Sequence, residues 1–224
     1  MSIASAPVVA VLFDLDGTLI DSAPDLAGAG NDLRAARGLA PLPYALFRPM
    51  VGAGARGMLK IALSLGPDDP GFTELRDEFL SLYQGRMTRE TQVFDEMRPV
   101  LAALKAGGLP WGIVTNKAKR LTDPLVRALG LFDEAVAVVS GDTTPHAKPH
   151  PAPLLEAARL MGVAPESCVY VGDDLRDVQA GRAAGMRTVA VGWGYLGEGE
   201  HISAWGADHV IDRPNELLKL LAMA

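Results

Sequence analysis

Near its start the chain carries a continuous apolar run, "VVAVLF" at residues 8–13. The run stops at two acids one residue apart, Asp14 and Asp16, and turns on Gly17. So short and unbroken a run, bounded by turn residues, predicts a buried strand. After it the period changes. Ser22 is placed to cap a helix reaching about Arg37, with Gly38 as its stop. "MVGAGARGMLKIAL" reads as a glycine-rich turn leading into a second helix that ends near Gly66. "FTELRDEFLSLYQGRM" spaces Phe72, Leu75, Phe79 and Leu82 by threes and fours, the apolar stripe of a third. No convincing strand pattern occurs in residues 23–65 or 72–87.

From about Thr88 the text alternates. Helical patterns over 97–106, 120–129, 151–161 and 177–184 separate the apolar runs "WGIVTN", "AVAVVSGD", "CVYVGDD" and "RTVAVGWG"; "DHVI" and "PNELLKLLA" follow. This alternation predicts an α/β fold, a Rossmann-like parallel sheet with helices on both faces. Residues 8–13 join that sheet, so the helical stretch is an insertion after the first strand. The expected division is a discontinuous core, residues 1–20 and 88–224, with a small all-α cap at residues 21–87.

Composition adds bounds. With 224 residues, 49% of them hydrophobic, the chain can bury one large domain or one domain plus a small insertion. Its net charge of −6 is spread along the sequence without a Lys/Arg block, which argues against nucleic acid as a partner. A single cysteine, Cys168, allows no intrachain disulfide and fits a reducing compartment. The first apolar run is too short for a membrane span or a signal-peptide core. The expectation is a cytoplasmic protein with no membrane partner, a monomer or homodimer.

Ligands of open parallel sheets bind beyond the carboxyl ends of the strands. Four runs here end in chemistry: Asp14 and Asp16; Thr115 and Asn116; Lys148 in "HAKPHP"; and Asp173 and Asp174, with Asp177 one helical turn past Asp173. Carboxylates crowded on one rim repel, and one would take up a proton unless a cation sat among them. Mg²⁺ suits one or two carboxylates plus waters and a substrate phosphate. The metal and Lys148 would together neutralise a phosphoryl group, and Thr115 could bond one of its oxygens. One carboxylate could then attack phosphorus. Asp16 is placed to protonate the leaving oxygen and later to activate water.

"LFDLDGTL", "IVTN", "AKPHPAP" and "VGDDLRD", in this order, resemble the four motifs of the haloacid dehalogenase superfamily of phosphatases. The likeness covers nearly the whole chain. "DSAPDL" and "DDLRDVQAGRAAGM" are similar to its phosphoglycolate phosphatase-like branch, whose members insert a small helical cap after the first motif. The resemblance implies that Asp14 is the nucleophile forming an aspartyl-phosphate and a ligand of Mg²⁺. It implies that Asp16 is the general acid/base, with its main-chain carbonyl on the metal, and that Asp173 is the remaining protein ligand. Thr115 and the Asn116 main chain then bind the phosphoryl group, Lys148 steadies nucleophile and phosphate, and Asp177 supports the site. Asp174 stands where relatives carry a small hydroxyl residue, and an N-cap role suits it better.

The implied activity is hydrolysis of a small phosphorylated metabolite, 2-phosphoglycolate first. The alternative is a sugar or amino-sugar phosphate such as N-acetylmuramic acid 6-phosphate. A different class, a phospho-aspartate signalling module, would take up one phosphoryl group without turnover. Arg56, in the glycine-rich turn, is a candidate for reading the substrate beyond its phosphate. His146 and His150 are separated by Pro149 and read as solvated loop residues, and Cys168 as a packing residue.

Overall fold

The structure is a computed structural model that describes residues 7–197 and 199–223. The first six residues of the expected core segment lie outside these. Six strands form one sheet: β1 (Ala10–Phe13), β4 (Trp111–Val114), β5 (Ala137–Val139), β6 (Cys168–Gly172), β7 (Arg187–Val191) and β8 (His209–Ile211). They run in the order β5-β4-β1-β6-β7-β8, with every neighbour pair parallel.

The central strand shows why its run is unbroken. Val11 and Phe13 face one core, packed with α5 (Met97–Ala106), α6 (Lys119–Ala128) and α9 (Asn215–Leu220). Ala10 and Leu12 face a second core, shared with α7 (Ala152–Met161) and α8 (Leu175–Ala183). Both faces are covered, so every position is apolar. Cys168 belongs to the second core, where burial, with Glu166 adding to it, pushes its thiol up to about 11 and keeps it protonated.

The insertion leaves and re-enters the core through a short antiparallel ribbon, β2 (Ile20–Asp21) with β3 (Gln92–Val93). Between these strands lie α1 (Ala23–Ala35), α2 (Tyr44–Phe47), a 3₁₀ turn at Arg48–Ala53, α3 (Gly54–Leu63) and α4 (Phe72–Gln84). Ser22 precedes α1 but makes no cap bond; proline occupies the helix's first turn, where a missing N–H costs nothing. Asp25, fully buried, accepts from the main-chain N–H groups of Glu90 and Thr91 and from the Thr91 hydroxyl. It thereby ties α1 to the returning chain. No helix among the described residues is long and apolar enough to cross a membrane.

β1 lies where the order reverses, with β4 on one side and β6 on the other. The carboxyl ends of these three strands therefore flank the crevice in which such sheets bind ligands.

Candidate active site

Asp14 and Asp16 leave β1 on a turn that needs Gly17. Its φ is +86°, and a Cβ there would meet the Asp173 carboxylate. Asp173, 3% exposed at the end of β6, is held on both oxygens. Thr18 Oγ1 donates to its Oδ1 at 3.0 Å and the Tyr195 main-chain N–H to its Oδ2 at 2.8 Å.

Lys148 is buried beneath the acids. Its Nζ stands 2.8 Å from Asp14 Oδ1 and 2.7 Å from Asp177 Oδ1, and donates to the Tyr170 hydroxyl at 2.8 Å and the Val114 carbonyl at 3.0 Å. The Asp14 contact is ionic rather than a well-aligned hydrogen bond. Burial pulls the lysine's pKa down, but Asp14 and Asp177 more than offset this, so the ammonium stays charged. Asn116 brackets the Lys148 main chain, donating to its carbonyl and accepting from its N–H, both at 2.9 Å.

Thr115, 2% exposed, accepts from the Lys117 N–H at 3.1 Å, which leaves its own hydroxyl proton free to donate. Asp174 caps α8: it accepts from the Arg176 N–H at 2.8 Å, while Asp177 accepts from the Asp174 N–H at 3.1 Å. Asp177 therefore serves both the helix start and Lys148.

Oxygens of Asp14, Asp173 and Asp177 lie within 4.8 Å of one another. Burial, opposed by Lys148 and reinforced by Asp177 and Asp16, lifts the Asp14 carboxyl to about 7. Burial, then Asp14 and Asp177, push Asp173 well above its ordinary range. Both shifts favour the neutral form, so the crowded acids have a use for positive charge, and an all-oxygen set of this kind fits a hard divalent ion. Each of the three also has protein partners: Asp14 meets Lys148, Asp173 meets Thr18 and the Tyr195 N–H, and Asp177 meets Lys148, Tyr170 and the Asp174 N–H.

The acids, Thr115, Asn116, Lys148, Asp173 and Asp177 all line one cavity of about 380 Å³ between the sheet rim and the helical insertion. Arg56 does not. It is exposed on α3, and Gly52 to Ala55, where the 3₁₀ turn passes into α3, line the cavity instead. His146 and His150 are exposed, their rings 4.4 Å apart, and belong to no metal-binding cluster among the described residues.

Residues 8–185 match the family described as "Hydrolase: haloacid dehalogenase-like hydrolase". The chain belongs to this family.

It is 41% identical over 215 residues to the N-acetylmuramic acid 6-phosphate phosphatase of Pseudomonas putida, covering 96% of each chain. It is 44% identical over 209 residues to the phosphoglycolate phosphatase of Xanthomonas campestris pv. campestris, covering 93% of this chain and 94% of that one. The crystal structure of a predicted phosphoglycolate phosphatase from Haemophilus somnus 129pt superposes with a TM-score of 0.82 at 27% identity, over 95% of this chain and 97% of that one. The chain is accordingly a phosphatase of the haloacid dehalogenase-like family, a phosphoric monoester hydrolase.

Several residues that shape the site carry no mark of their own in the sequence pattern. Thr18 and Tyr195 hold Asp173, Tyr170 supports Lys148, and Lys117 with Tyr83 stands beside Asp16. Thr18 was within reach, because it sits inside the DGT turn. The other partners are distant in sequence and carry no local signal.

Proposed function

We propose that the chain is a Mg²⁺-dependent phosphatase of a small carboxylate-bearing phosphomonoester, working through an aspartyl-phosphate on Asp14. The observation that carries this reading is the placement of Lys148 Nζ 2.8 Å from Asp14 Oδ1 beneath the shared cavity. The ammonium masks part of the nucleophile's charge and of the phosphoryl group's. When bound, Mg²⁺, held by Asp14, Asp173 and the Asp16 carbonyl, supplies the remaining positive charge.

An Asp14 oxygen bonds to phosphorus while the ester P–O bond breaks. Asp16 gives its proton to the leaving oxygen, then takes one from the water that cleaves the acyl phosphate. Thr115 donates to a phosphoryl oxygen, and Asn116 fixes the Lys148 segment through its side chain. Residues 21–87 act as the cap that excludes bulk water during the first step.

2-Phosphoglycolate is the first substrate candidate. Cavity size favours a second reading. About 380 Å³, walled by Leu26, Val51, Phe79, Leu80 and Leu121, is more room than a two-carbon acid needs. N-acetylmuramic acid 6-phosphate is larger and also carries a carboxylate. Arg120, at the cavity rim and bonded to neutral Gln84 at 3.2 Å, is the cation we assign to that carboxylate in place of Arg56. One buried, free cysteine supports a reducing, cytoplasmic setting.

A phosphate-release screen with and without Mg²⁺ tests the proposal, comparing these two esters with plain sugar phosphates. Metal-dependent release over many turnovers is expected, fastest with an ester that bears a carboxylate. Uptake of one phosphoryl group per chain without turnover would favour a signalling module.

A further inference from the structure

Asp16 is held from one side. Its Oδ1 accepts from the Ser22 hydroxyl and stands 3.0 Å from Lys117 Nζ, while no described residue bonds its Oδ2. The Lys117 side chain is 8% exposed, although long lysines ordinarily extend into solvent. What confines it belongs to the cap segment. Its Nζ donates to the Tyr83 hydroxyl at 2.9 Å and lies 4.6 Å from the centre of the Tyr83 ring, at the end of α4. Tyr83 itself is 1% exposed. All three residues line the cavity.

We infer that Lys117 is a positioning residue for the acid/base carboxylate, and that Tyr83 holds it there only when the cap is seated. The Ser22 hydrogen bond and the Lys117 ion pair, both on Oδ1, fix the rotation of the Asp16 carboxylate and leave Oδ2 as the oxygen that carries the transferable proton. In the first step the ester P–O bond breaks as the Asp14 oxygen bonds to phosphorus. The proton on Oδ2 passes to the leaving oxygen, and Asp16 is left as a carboxylate facing Lys117. With the cap lifted, the ammonium loses its hydroxyl and ring partners and is free to swing into solvent. Oδ2 is then no longer aimed at the ester. Acid catalysis would thus be assembled by the same closure that excludes water. This inference rests on the reading of Asp16 as the proton donor.

The test compares two classes of ester, because an alkoxide leaving group needs the proton far more than a nitrophenolate does. kcat/KM is measured for p-nitrophenyl phosphate and for whichever of 2-phosphoglycolate and N-acetylmuramic acid 6-phosphate the wild type cleaves faster. It reports steps up to the first irreversible one, so water attack on the acyl phosphate does not blur the result. Lys117→Met should lower kcat/KM for the alkyl ester about 30-fold and for the aryl ester by less than about threefold. Tyr83→Phe keeps the ring, removes one oxygen, and should show the same selectivity at about threefold. It carries the test should Lys117→Met fail to fold.

Equal losses on both esters in Lys117→Met, or none, would overturn the positioning role. A wild-type ratio in Tyr83→Phe would overturn the cap's share. Asp16→Asn is the control: if it shows no ester selectivity, the acid role of Asp16 fails and the inference falls with it.

Discussion

Lys148 Nζ meets Asp14 Oδ1 at 2.8 Å with the lysine side chain only 3% exposed. A buried ammonium is costly unless anions surround it, and here Asp14 and Asp177 do so. The pair is therefore structural as well as chemical. Removing the cation should hurt both properties.

Lys148→Met keeps most of the side-chain volume and strands two carboxylates. Urea unfolding should show a loss of about 3 kcal/mol, accompanied by near-complete loss of phosphate release. Wild-type stability in this variant would mean that the acids are neutralised by protons and the lysine adds little.

Mg²⁺ binding should depend on pH with a definite sign. In the metal-free protein the folded-state pKa of Asp14 is raised from 3.8 to about 7, and that of Asp173 is raised as well. Groups raised on folding stabilise most below their unfolded pKa, and that contribution is lost as pH rises through the folded value. The metal-free protein should weaken between about pH 4 and 7 on account of Asp14, with Asp173 acting in the same direction, and Mg²⁺, competing with those protons, should restore more at high pH. Melting curves at pH 5.5 and pH 8 should show the larger Mg²⁺-induced rise at pH 8. An equal or larger rise at pH 5.5 would count against these acids as the ligands.

Arg120 reaches the cavity rim with only neutral Gln84 as its bonded partner among the described residues. Arg120→Ala should raise KM for the preferred carboxylate-bearing ester about tenfold while changing p-nitrophenyl phosphate hydrolysis little. Steady-state kinetics on the two esters decide it. Equal effects would place substrate recognition elsewhere, with the Gly52–Ala55 segment the next candidate.

Gly17→Ala tests the turn. The residue sits at φ +86°, and the added Cβ would press on the Asp173 carboxylate. Left-handed backbone alone costs about 1–2 kcal/mol, and the displaced carboxylate should also weaken Mg²⁺ binding. Thermal melts with and without Mg²⁺ should show a lower Tm and a smaller metal-induced rise. An unchanged rise would mean that Asp173 tolerates the shift.

The sheet was legible because its strands are buried on both faces, which writes them as unbroken apolar runs such as residues 8–13. The acids were legible because each follows such a run. The ribbon of Ile20–Asp21 with Gln92–Val93 was not, since two residues are too few for a period of two to register. Ser22 looked like a helix cap, yet its hydroxyl turns to Asp16. Arg56 has the right type in a suggestive turn, but α3 points it outward; Arg120, on the first turn of α6, reaches the cavity. Tyr83 meets Lys117 across 34 residues and Tyr195 meets Asp173 across 22. Only packing in three dimensions creates those pairs. Phe79 lies in the apolar stripe that the spacing marks, but Tyr83, one helical turn further on, meets Lys117 beside Asp16.

The central claim is transfer of the phosphoryl group to Asp14. Its most direct measurement is a mass spectrum of peptides from protein acid-quenched during turnover with Mg²⁺ and the preferred ester. The expected result is one phosphoryl group on the peptide containing Asp14 in the wild type, with no phosphopeptide and no turnover in Asp14→Asn. Phosphate released by an Asp14→Asn protein at near wild-type rate, or a phosphoryl group found on another residue, would contradict it.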